Sequence, residues 1–243
     1  MTAPLRTARL EHRLTRPNAS LAELEDAVGL ALAHGLTSLA VSPWLVKAAT
    51  RGLARSHVRV ATVIGFPHGG QVAAVKAFEA STALEDGATQ LDFVVNAGAL
   101  ISGDDRAVLD DMLAVVEMAH SALALTGVIV QSGALDDELI RRACRLAARA
   151  GVDYVVTSIG GEPVAVAVQS TTFLRRVVGD QLEVKAAGDF TELAGVTAVV
   201  AAGADHISTS FSPELAGAAS AWLQGRTPAT AQPSLADVGA AVG

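Results

Sequence analysis

The sequence predicts an α/β fold, a single-domain (β/α)8 TIM barrel, and three observations carry that prediction. Short β-rich runs alternate with helical stretches along almost the whole chain, in eight strand–helix units. The strand runs are near-continuously apolar, as in a parallel sheet buried on both faces. Eight units within 243 residues suit a closed barrel better than an open doubly wound sheet, the alternative architecture. No GxGxxG or P-loop sequence follows any of the strands.

Taken in order, the run ARLEHRL leads into SLAELEDAVGLALAHG, where Leu21, Leu24, Val28, Ala31 and Leu32 keep helical spacing. Ser20 with Glu23 reads as a capping box. SLAVS runs into Pro43, which suits a first helical turn behind a Ser42 cap. VRVATVIG precedes the helix QVAAVKAFEASTALEDG, and QLDFVVN precedes DDRAVLDDMLAVVEMAHSA. GVIVQS is followed by DDELIRRACRLAARAG, and DYVVTS by VAVAVQSTTFLRRVVG. LEVKAAG with TELAGVTAVVAAGA, then HISTSFS with PELAGAASAWLQG, complete the barrel over residues 1–225. Residues 226–243, rich in Ala, Pro and small polar residues, read as a flexible tail.

Composition narrows the function. The chain is 51% hydrophobic and 18% charged, enough apolar material for a large core. A net charge of -7 argues against a nucleic-acid surface, which needs clustered cations. Cys144 is the single cysteine and lies in a helical stretch, which excludes an intrachain disulfide and suits a reducing compartment. No apolar signal core or membrane-spanning run is present, so a cytoplasmic location is expected. The histidines show no metal-ligand spacing, and neither metal nor cofactor is expected. Of the 18 basic residues only Lys47, Lys76 and Lys185 are lysines, so a retained lysine invites the question of whether its amine is needed.

Chemistry in such a barrel sits at the C-terminal ends of the strands. Asp92 and Lys185 are charges inside otherwise apolar strands, a costly placement. They read either as a buried ion pair tying two strands together or as a proton-transfer pair at a carbonyl site. Two-residue alternation places Asn96 on the face of Asp92, and His68 lies in a Pro/Gly turn after the third strand. Thr157, Ser158, Gly160, Gly188, Ser208, Thr209 and Ser210 close the last three strands, where hydroxyls and backbone N–H groups can meet an anion.

At these residues the chain resembles the deoxyribose-phosphate aldolase family. VIGFPHG, AVSPWLVKAA and the long segment VKAFEASTALEDGATQLDFVVNAGALISGD all follow that family's patterns. The resemblance implies a (β/α)8 barrel and class I chemistry, in which a lysine amine forms a Schiff base with an aldehyde. It further implies that Asp92 matches the family's aspartate and Lys185, in VKAAG, its second lysine. The nucleophilic lysine of the family's K-T-S-T-G segment falls on Val156. The strand-five lysine is replaced by Gly127, with Gln131 and Ser132 in place of an acid and a threonine. After Lys185 the paired glycines and arginine become Gly188-Asp189-Phe190-Thr191, where Asp189 is expected to repel a phosphate. Ser208 replaces a glycine, so a hydroxymethyl group is expected to crowd the anion pocket.

These residues support an aldolase-like enzyme doing acid–base chemistry on a small carbonyl compound through Asp92 and Lys185, with His68, Asn96, Gln131, Thr157, Ser158, Gly160, Gly188, Ser208 and Ser210 as substrate-binding candidates. Asp92 and the lost neighbouring lysine favour an ammonium at Lys185, hence a general acid or carbonyl polariser. Two alternatives stand beside this reading: an inactive paralogue serving as a binding or regulatory protein, and an aldolase with its Schiff base relocated to Lys185. An unpaired, solvent-reachable polar cluster at the mouth, expected from Asp92, Asn96, Gln131, Ser158 and Lys185, favours an enzyme. The expected partner is a small carbonyl compound, with a homodimer admitted and neither nucleic acid nor membrane involved. Because valine cannot form an imine, conventional deoxyribose-phosphate cleavage is expected to be negligible. A coupled assay for released acetaldehyde checks this, and turnover on the order of 1 per second would contradict it.

Overall fold

The structure, a computed structural model, describes residues 8–130 and 135–225. The expected tail at 226–243 therefore lies outside the described residues, as does Gln131. Eight parallel strands close a barrel in sequence order: β1 (Arg9–Leu14), β2 (Ser38–Val41), β3 (Arg59–Ile64), β4 (Gln90–Val94), β5 (Leu125–Ile129), β6 (Tyr154–Val156), β7 (Glu183–Ala187) and β8 (His206–Thr209). The helices are α1 (Leu21–Ala33), α2 (Val46–Gly52), α3 (Ala73–Glu85), α4 (Ala97–Ile101), α5 (Asp105–Ser121), α6 (Asp137–Ala150), α7 (Val164–Val178), α8 (Leu193–Ala201) and α9 (Pro213–Leu223). None is long and apolar enough to cross a membrane.

Local sequence sets most of these boundaries. The Ser20 hydroxyl accepts from the Glu23 amide at 3.3 Å while the Glu23 carboxylate accepts from the Ser20 amide at 2.9 Å, so the capping box forms in full. Pro43 opens a 3-10 turn, Pro43–Leu45, that feeds α2, although the Ser42 side chain makes no capping bond. α6 stops at Gly151, whose φ of 80° is left-handed and suits glycine. The five-residue α4 is too short to show a helical period, and it escaped the sequence reading.

Strand alternation separates two unlike surfaces. Leu10, Leu39, Leu91, Val128, Val155, Val184 and Ile207 face the helices and are buried in one continuous apolar core. The opposite face of the same strands points into the barrel and carries Glu11, Gln90, Asp92, Lys185, His206 and Ser208. Lys76 works outside the barrel: its Nζ donates to Asp111 Oδ2 at 2.6 Å and to the Val94 carbonyl at 2.8 Å, tying α3 to α5 and to the end of β4. Lys47 is on the surface beside Asp86. Of the lysines, Lys185 alone lies in the barrel interior.

His12, on the outward face of β1, is buried, and its Nδ1 accepts from the Phe211 amide at 3.1 Å. That bond requires the neutral ring. Burial first, and the neighbouring Arg13 charge second, lower its pKa from 6.5 to about 4. A histidine depressed in the folded state contributes stability that is present above its unfolded pKa and lost as pH falls toward the folded one. Between pH 6.5 and about 4 the unfolded chain takes up a proton that the folded chain refuses. The loss over that window is expected to be on the order of 3 kcal/mol. Urea unfolding at pH about 7 and about 4.5 checks this: His12→Gln should reduce the wild-type difference between the two conditions.

Candidate active site

Three strands converge on one ammonium. Lys185 of β7 is 0% exposed, and its Nζ donates to Asp92 Oδ2 of β4 at 2.7 Å and to Glu11 of β1 at 3.0 and 3.1 Å. Glu11 also accepts from Ser38 Oγ at 2.9 Å and from Gln90 Nε2 at 2.8 Å. Asp92 takes a further bond from the Tyr154 hydroxyl on its other oxygen. The Tyr154 ring fills the space over Gly127, where any Cβ would overlap it, and lies 4.8 Å from the Lys185 ammonium. The residue type at 127 is thereby explained: a side chain there would expel the tyrosine that holds Asp92.

Two carboxylates share one cation, and their environments differ. For Glu11, burial resists ionisation, but Lys185 and the hydrogen bonds from Lys185, Ser208 and Ser38 together outweigh it and lower the pKa. For Asp92, burial dominates and the Glu11 charge adds to it, so the pKa rises despite Lys185 and Tyr154. Lys185 is raised: burial disfavours its charge, yet Asp92 and Glu11 more than offset that. Burial and the two carboxylates push Tyr154 well up, keeping its hydroxyl a donor. The resting site is thus a Glu11–Lys185 ion pair with Asp92 as the carboxyl readiest to gain or lose a proton. Such a set can polarise a carbonyl through the ammonium and move a proton through Asp92. It does not favour a free amine nucleophile, which needs a lowered pKa.

Val156 stands beside Lys185 in the β6–β7 register. With Val63, Phe66, Ile129 and Ala187 it gives an apolar wall to a cavity of about 20 Å³ that also meets Glu11, Asp92, Lys185, Ser158 and Ser208. That is room for roughly one water. Larger hollows lie on the outside of the barrel, but they lack this meeting of opposite charges on adjacent interior positions. The expectation of an unpaired, solvent-reachable cluster is therefore corrected at its two charges: Lys185 and Asp92 are buried and paired, because β1 supplies a second carboxylate, Glu11.

The other anticipated residues divide. Ser158 lines the cavity, accepting from the Gly160 amide at 3.1 Å and donating to the Ala187 carbonyl at 3.3 Å. Ser208 lines it too and bonds to Glu11. Thr157, on the opposite face, accepts from the Ala187 amide at 3.0 Å and splints β6 to β7. His68 is exposed in its turn and is not among the lining residues. Asn96 spends its side chain capping α4 through the Ala99 amide at 3.1 Å. Ser210 is exposed and donates to the Arg13 carbonyl at 3.0 Å.

The expected anion nest at Gly160, Gly188, Ser208, Thr209 and Ser210 is largely spent. The Gly188 amide donates to Ser208 O, the Asp189 amide to Glu162 O, and the Phe190 amide to Thr209 Oγ1, each at 3.0 to 3.1 Å. Asp189, expected to repel an anion, is instead paired with Arg13 at 2.8 Å. Among the described residues no cluster of His, Cys, Asp and Glu is placed to hold a metal. Sequence reasoning missed Glu11, Arg13 and Tyr154. The signal was present in RLEHRL, where alternation sets Arg9, Glu11 and Arg13 opposite Leu10, His12 and Leu14.

A family model described as DeoC/LacD family aldolase matches residues 7–225. The deoxyribose-phosphate aldolase of Streptococcus equi subsp. zooepidemicus is 40% identical over 201 residues, 83% of this chain and 90% of that protein. That of Thermococcus gammatolerans is 39% identical over 203 residues, with the same 83% and 90% coverage. Among solved structures, the deoxyribose phosphate aldolase of Aeropyrum pernix, described as a unique tetramer, superposes with a TM-score of 0.75 at 28% identity, covering 88% of this chain and 89% of that one.

The unequal carboxylates predict unequal variants. Lys185→Met leaves Glu11 and Asp92 facing each other without a cation and is expected to destabilise the barrel by about 3–5 kcal/mol. Asp92→Asn keeps the Glu11–Lys185 pair and an acceptor for Tyr154, and is expected to stay within about 1 kcal/mol of wild type. Urea unfolding of both variants decides. Equal losses would contradict this charge distribution.

Proposed function

The chain belongs to the DeoC/LacD family of aldolases, and from that premise we propose that it is a lyase-type enzyme acting on a small carbonyl compound by acid–base chemistry, without a Schiff base at position 156. The observation that carries this reading is the Lys185 ammonium held between Asp92 and Glu11 beside the inert side chain of Val156. A substrate carbonyl oxygen takes over one of the two N–H bonds that Lys185 gives to Glu11, and the ammonium draws electron density toward that oxygen. In the aldol-cleavage direction, Asp92 as carboxylate removes the proton of a β-hydroxyl. The C–C bond breaks, the hydroxyl carbon becomes a carbonyl, and the electron pair passes to an enolate whose oxygen stays on the ammonium. Asp92 then returns its proton to the enolate carbon. Enolisation, cyclisation and dehydration use the same two groups.

The burial and mutual pairing of the site's charges favour one rival, an inactive paralogue that binds or regulates. The family chemistry supplies another, a Schiff base relocated to Lys185. Deuterium exchange at the α-carbon of small aldehydes and ketones, followed by NMR in heavy water, tests all three. Exchange is expected for wild type and lost in Asp92→Asn, with no reduced adduct on Lys185 after borohydride treatment. An adduct at Lys185 establishes the relocated imine instead, and absence of exchange across the panel leaves the inactive paralogue.

A further inference from the structure

Arg13 is the last interior residue of β1, two positions beyond Glu11, and it lines the same cavity as Lys185, Val156 and Ser158. Its Nη2 donates to Asp189 Oδ1 at 2.8 Å and reaches the Gly188 carbonyl at 3.4 Å. Its Nη1 is buried and has no hydrogen-bond partner. Unpaired donors on a buried guanidinium are uncommon and mark a place where an acceptor belongs. The surrounding loop is shaped to admit this side chain. Gly160 holds a φ of 96°, and a Cβ there would overlap the guanidinium.

The chemistry of the acceptor follows from what the mouth already contains. The anion on this fork is a carboxylate, that of Asp189, whose side chain is 59% exposed and free to be displaced toward water. The amides of Gly160, Gly188, Asp189 and Phe190, which would cradle a phosphate, donate within the chain. A dianion would also meet Glu11 and Asp189 with little compensation, whereas a planar monoanion matches the two ends of one guanidinium. We infer that Arg13 anchors a carboxylate of the substrate, which makes the substrate class a small carbonyl acid such as a 2-oxo acid. The ligand carboxylate takes Nη1 and replaces Asp189 at Nη2, directing its carbonyl toward Lys185. This inference rests on the reading of the cavity as a substrate site and specifies what enters it.

Calorimetry with pyruvate, acetone and inorganic phosphate as probes tests it on the intact chain. Wild type is expected to bind pyruvate in preference to acetone and phosphate. Asp189→Asn, a change at an exposed side chain, removes the internal competitor and should tighten pyruvate binding about tenfold. Arg13→Gln should weaken it by at least about tenfold. Unchanged pyruvate affinity in Asp189→Asn or in Arg13→Gln, no pyruvate binding by wild type and Asp189→Asn alike, or phosphate binding more tightly than pyruvate overturns the inference. Calorimetry reads binding without turnover. Arg13-dependent binding in a protein that shows no α-proton exchange removes the proposed chemistry and leaves the anchor, and exchange indifferent to Arg13 does the reverse.

Discussion

An ammonium shut away from water must find its counter-charges among its neighbours, and the interior of this barrel is arranged around that requirement at Lys185. One carboxylate would neutralise it. The protein supplies two, Glu11 and Asp92, and then stabilises the surplus charge with Ser38, Gln90 and Tyr154. Barrel interiors are more often filled by branched apolar side chains. Here β1 and β7, separated by β8, instead face each other with alternating charge: Arg9 against Glu183, Glu11 against Lys185, and Arg13 against Asp189 just past the strand end. The outer rungs are partly open to solvent and the middle rung is buried. Coulomb attraction and desolvation cost are therefore both greatest in the middle.

The residues on β5 and β6 belong to the same arrangement. Gly127 makes room for Tyr154, Tyr154 holds Asp92, and Val156 lines the cavity beside Lys185 without adding a second cation. A second ammonium at that point would lower the pKa of the first by like-charge repulsion. With a valine there, the carboxylates set the protonation of Lys185, and they hold the proton on it. Burial moves the pKa of Asp92 up, whereas Lys185 and the hydrogen bonds around Glu11 move that of Glu11 down, so the two carboxyl groups are unequal.

The helical layer permits this polar interior. Helix-facing strand residues are apolar and form one continuous core with the helices, while the inside holds only a smaller apolar cluster of Val94, Ile129, Tyr154, Val156 and Ala187. Lys76, buried outside the barrel with Asp111 and the Val94 carbonyl, fixes the end of β4 from behind and so supports the strand that carries Asp92. The loops after β6, β7 and β8 are braced by several of their own amides and hydroxyls, and the Arg13 guanidinium beside them keeps a buried Nη1 without a partner.

The strand and helix alternation, the capping box at Ser20, the family resemblance, and the two conspicuous charges Asp92 and Lys185 are legible along the chain. These are local signals: a period of two or 3.6, a cap three residues from its partner, an ion inside an apolar run. What those charges face emerges only once the barrel closes. Glu11 lies 174 positions from Lys185 and sits in a strand whose alternating polar residues look like a solvated face. Closure of β8 onto β1 turns that face inward. Tyr154 reads as an ordinary strand former until Gly127, one strand away, is seen to leave it a space. Asn96 and Thr157 stood at the expected strand ends, but a short helix needed a cap and two strands needed a splint, and their side chains went there. Which face of a strand is interior, and which polar group is already spoken for, depends on pairings across the whole chain that no local window contains.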